Sequence, residues 1–108
     1  MNTKPYGIRA VFFRDQQWWI AQCLEYDIAT CATTLPDLNL ELERLLQGHL
    51  VVATEHGVQP FAGLPPAPKR FWKLFESARA RVEPVNPLQS SEAADVLALT
   101  AIETRIAA

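Results

Sequence analysis

The chain has 108 residues, enough for one domain with a modest core. It is 49% hydrophobic and 20% charged, the composition of a globular protein. Ten Lys and Arg against twelve Asp and Glu give a net charge of −2, which argues against a general nucleic-acid coat; only four Gly argue against a Gly-rich phosphate loop, and two Cys exclude a four-thiolate zinc site.

The N-terminal segment MNTKPYGIRAVFF holds no apolar run of signal-peptide or membrane-span length, so a cytoplasmic protein with no membrane partner is expected. Residues 7–13 (GIRAVFF), 17–24 (QWWIAQCL) and 28–33 (IATCAT) are rich in β-branched and aromatic residues. Short polar links, Arg14-Asp15-Gln16 and Glu25-Tyr26-Asp27, join them into a three-stranded meander. Neither of the first two strands has a clean polar side. Ile8, Ala10 and Phe12 oppose Arg9, Val11 and Phe13; Trp18, Ile20, Gln22 and Leu24 oppose Trp19, Ala21 and Cys23. Such a sheet is expected to be covered on both faces, by two elements or by a second subunit. Cys23 and Cys31 read as small packing residues, with a redox pair across the hairpin as the alternative.

Thr34 is a suitable N-cap, followed by Pro36 and Asp37, for a helix over about 35–56 that ends at Gly57. Leu35, Leu38, Leu42, Leu45, Leu46 and His49 follow its helical period, while Leu40, Leu50 and Val51 widen the apolar surface. Residues 58–68 (VQPFAGLPPAP) read as a stiff proline-rich linker. A second helix is predicted over about 69–81, with Phe71, Trp72, Leu74, Phe75 and Ala78 on its apolar side. After another Pro-containing break at 82–90, the segment from about 95 to 107 suits either a helix or a late strand. Its Thr, Ile and Val residues favour the strand.

The stretch Trp18-Trp19-Ile20-Ala21-Gln22-Cys23-Leu24-Glu25-Tyr26-Asp27-Ile28-Ala29-Thr30, with the helix start Thr33-Thr34-Leu35-Pro36-Asp37-Leu38, resembles the HicB-like antitoxin family. The resemblance covers about residues 6–56. The Pro-Gly-Cys turn common in the family is replaced here by Asp27-Ile28-Ala29-Thr30. The resemblance implies a partial ribonuclease H-like unit of order β-β-β-α-β, with the 69–81 helix inserted before the late strand. It also implies a non-catalytic, homo-oligomeric module that neutralises a small partner protein such as a HicA-like toxin. The DNA-binding domain that many members carry after this unit is not expected here.

The expected fold is therefore α+β, a single domain over 1–108 built on a four-stranded antiparallel sheet. No catalytic residues, metal or cofactor are expected. Asp15 lies at the opposite end of the second strand from Glu25 and Asp27, roughly 23 Å away at the usual rise, too far to share a metal pair. His49 and His56 are about 10 Å apart along the helix. The candidate acidic turn, Glu25 and Asp27, reads as solvated. Half of the ten cations fall within 69–81, where Lys69, Arg70, Lys73, Arg79 and Arg81 are opposed only by Glu76. Lys69, Arg70, Trp72 and Lys73 are the candidate contacts for a partner. Alternatively, they contact nucleic acid, with aromatic residues stacking between the cations.

Overall fold

The computed structural model describes residues 7–78, 80–82 and 101–107. Three strands, β1 (Gly7–Asp15), β2 (Trp18–Cys23) and β3 (Ala29–Ala32), form the expected antiparallel meander. Gln16 closes the first turn in the left-handed region, with φ 59°. Helix α1 (Leu35–Glu55) follows, then α2 (Lys69–Ser77), the short strand β4 (Ala80–Val82) and the late strand β5 (Ala101–Ile106). The sheet order is β3-β2-β1-β5-β4.

The fold is α+β as expected, but the sheet is mixed, not antiparallel throughout. β5 pairs with β1 in parallel, Ala10 opposite Thr104 and Phe12 opposite Ile106. β4 adds a fifth strand at that edge, antiparallel to β5. Residues Ala80 and Arg81, expected to end the second helix, belong to β4 instead. The helix stops at Ser77, and Ala78 has the extended backbone that leads into the strand. Strand pairing of β5 settles the ambiguity for residues 101–106; the rest of the late-strand expectation, from 95 to 100, lies outside the described residues.

The alternation read from the sequence places two cores on opposite faces. Ile8, Ala10, Phe12, Ala21 and Cys23 face α1, where Leu38, Leu42, Leu46 and Leu50 close the larger core. Each of those leucines is at most 1% exposed. Burying one such side chain is worth about 1.5–3 kcal/mol, so this face supplies most of the fold's cohesion. The smaller core on the other face joins Val11 and Leu24 to Phe75, with Phe13, Phe71, Trp72 and Leu74 around them. α1 begins as predicted: the Thr34 hydroxyl accepts from the Asp37 N–H at 3.2 Å. It ends at Gly57, whose φ of 65° suits the residue after the C-cap.

The proline-rich linker is a fixed strap between the two faces. Asp27 N–H donates to the Pro65 carbonyl at 2.7 Å, and Ala67 N–H donates to the Leu24 carbonyl at 2.9 Å. These bonds hold the linker against the β2–β3 turn. Trp72 Nε1–H then donates to the Ala67 carbonyl at 3.1 Å, fixing where α2 starts.

Candidate functional site

The acidic turn is occupied by the chain itself. Glu25 accepts from the Arg9 backbone N–H at 2.7 Å and from Arg9 Nε at 2.6 Å, a charge-assisted pair. Asp27 Oδ1 accepts from Gln22 Nε2 at 2.8 Å. Asp27 is exposed and Glu25 half-buried, so the turn meets solvent, and both carboxylates also help to organise it. Among the described residues no group of three or more His, Cys, Asp or Glu could hold a metal ion.

The basic helix is split. Lys69, Arg70 and Lys73 are exposed on α2, as a contact surface requires. Its aromatic residues are not. Phe71 stacks on Phe13 at 5.8 Å, and the Arg9 guanidinium lies over the half-buried Trp72 ring at 4.8 Å. Trp72 thus belongs to the packed side of α2, held by its indole bond, and is not placed as a stacking platform. The remaining cations of the cluster, Arg79 and Arg81, lie where no side chain is described.

The two cysteines fall on opposite faces of the sheet. Cys23 pairs in register with Ala10 and is buried under α1; Cys31 pairs with Ile20, on the α2 side, and is exposed. The redox-pair reading fails on this geometry. Burial, reinforced by the charge of Glu25, pushes the Cys23 thiol up to about 12, so it stays protonated and inert. Cys31 was expected to be packed; it is exposed because β3 is an edge strand that α2 does not reach.

That bare strip is the feature that strand patterning alone did not isolate. α2 packs over Val11, Phe13 and Leu24, while Trp18 at the start of β2 remains 43% exposed. Trp18, Cys31 and Leu40 line one crevice between the β3 edge and the N-terminal half of α1; Leu40 is itself 38% exposed. An exposed tryptophan beside a strand edge that is unpaired among the described residues offers both an anchor and a backbone template to a partner. The sequence signal was present, in the apolar Trp18 and Ile20 side of β2 and in Leu40 on the outer side of the helix.

A second surface lies on the far flank of α1. Leu45, His49 and Val52 face the loop of residues 57–64 across an apolar cleft. His49 is tilted against Phe61 at 5.5 Å, and Phe61 stacks on Tyr26 at 4.6 Å. His56 is separate, its Nδ1 lying 2.9 Å from the Val52 carbonyl. The two histidines do not form a site together. No helix among the described residues is long and apolar enough to cross a membrane. Comparison with models of protein families, with curated proteins and with solved structures gives no significant match.

Proposed function

We propose that this chain is a non-catalytic protein-binding module of the HicB-like antitoxin kind. It acts as a homo-oligomer in the cytoplasm and holds a small partner protein such as a HicA-like toxin. The observation that carries this reading is the exposed Trp18, next to β3, which is the edge strand of the sheet among the described residues. Two further features support it. The order of three antiparallel strands, a helix and a late strand beside the first is the order the family resemblance implies. Glu25 and Asp27, two of the carboxylates that a nuclease reading would use, are engaged by Arg9 and Gln22.

The test is co-expression with the small protein encoded by the neighbouring gene. The neighbour should co-purify and lose its toxicity, and Trp18→Ala should weaken the complex at least tenfold. A neighbour that neither binds nor is neutralised overturns the reading. Sedimentation should give more than one chain per particle at micromolar concentration.

A second reading, a nucleic-acid contact through α2, rests on the three exposed cations Lys69, Arg70 and Lys73. It requires salt-dependent binding that is lost when all three become Glu. The packing of Phe71 on Phe13 and of Trp72 beneath Arg9 gives no support to the base-stacking part of that reading.

A further inference from the structure

The flank of α1 that faces the 57–64 loop carries three observations that the packing of the fold does not explain. The first is Gly48, in the interior of a 21-residue helix. Glycine there costs roughly 1 kcal/mol relative to alanine. No positive φ requires it, and a Cβ added at Gly48 would meet nothing within 4 Å. The glycine therefore leaves a notch that no part of the described chain fills.

The second is Phe61. It has φ 63°, a left-handed conformation that a bulky aromatic residue rarely adopts and that costs about 1–3 kcal/mol. Its ring is nevertheless buried between Tyr26 and His49. The strained residue holds the loop as a wall opposite the notch. The third is the surface between them, a cleft of about 600 Å³, within the usual range of small-molecule sites. Val52 and Val58 at its rim are 54% and 57% exposed.

Charge selects the occupant. The chain is net negative, yet among the described residues no Asp or Glu lines this cleft; the ionisable ones that do are Arg44 and His49, with Gln59 as a further polar group. Arg44 makes one long contact with Glu41, 3.6 Å, between two exposed side chains. A pair of that kind is worth little and leaves most of the guanidinium donors free.

We propose that this cleft binds a small apolar carboxylate, its hydrocarbon part over Gly48 and against Phe61 and its carboxylate at Arg44. The proposal does not depend on the antitoxin reading. Decanoate and decyltrimethylammonium, which share a chain length and differ in charge, are the probes for calorimetric titration of the full chain. Decanoate should bind once per chain and at least tenfold more tightly than the cation. Arg44→Glu should reverse that preference, and Gly48→Leu should abolish binding of both. Gly48→Ala serves as the folding control and should raise the melting temperature, because the added methyl group enters open space. Equal affinity for the two probes overturns the proposal, as does binding that survives Gly48→Leu. A wild-type dimer that Gly48→Leu dissociates also overturns it and assigns the notch to a second copy.

Discussion

Glu43 is the most informative single position for the stability of this fold. It sits on α1 beside the core leucines, and it is 5% exposed. Its Oε1 is fully buried and has no hydrogen-bond partner. Desolvation raises its carboxyl pKa above the ordinary value of 4.5. The folded state therefore holds the Glu43 proton more tightly than the unfolded state does. Between the unfolded and folded pKa values the native protein binds more protons, so stability falls as pH rises through that window. The favourable contribution of protonation is complete below about pH 4.5 and is lost as pH passes the folded pKa. At pH 7 the fold thus carries a buried group with an unsatisfied oxygen, at a cost of about 1–3 kcal/mol. Glu43→Met removes that cost and keeps helix propensity nearly constant. It should stabilise the protein at pH 7 by roughly that amount, raising the melting temperature by about 4–8 °C per kcal/mol. The advantage should shrink toward pH 4, where the wild-type carboxyl is protonated. Urea melts of wild type and variant at pH 4, 5.5 and 7 read this directly. A Glu43→Met protein less stable than wild type at pH 7, or a difference that does not change with pH, refutes the reasoning.

Three further outcomes are expected. Thr34→Ala removes the hydroxyl that accepts from Asp37 and should cost about 1 kcal/mol by urea melt at neutral pH. Glu25→Gln keeps an acceptor but loses the charge facing Arg9; because the Arg9 and Glu25 side chains are 44% and 24% exposed, the loss should be modest, about 1 kcal/mol in a thermal melt. A thiol-specific disulfide reagent at pH 8 should react promptly with Cys31 alone, and with Cys23 only after denaturant is added, since burial holds its pKa near 12.

Much of this architecture is legible residue by residue. The Thr34 cap, the leucine period of α1 and the Gly57 stop are local signals, and each element they mark appears within a residue of its expected end. The alternation in β1 and β2 sorts side chains correctly onto the two cores because its period is set by the pleat alone. The direction of β5 was not legible. It is a property of long-range pairing, not of local pattern, and the fifth strand, β4, is three residues long and hidden at the end of a helical pattern. The roles of Trp72, Glu25 and Asp27 were also not legible, because their partners lie far along the chain or depend on the turn conformation: Ala67 and Arg9 for Trp72, Arg9 for Glu25, and Gln22 for Asp27.

The strands predicted that both faces of the sheet need cover, but the amount of cover is a question of width. Five strands set about 4.8 Å apart span roughly 19 Å between their outer axes, whereas a helix with its side chains is about 10–12 Å across. Nine-residue α2 lies over Val11 and Phe13 of β1 and ends beside Arg105 of β5, whose guanidinium sits over Phe75 at 4.3 Å. Placed there, it cannot also reach β3. Trp18 and Cys31 are consequently left at the surface by geometry, not by a lapse in patterning. The same apolar alternation that required a cover on that face therefore also points to where the cover supplied by the described residues runs out.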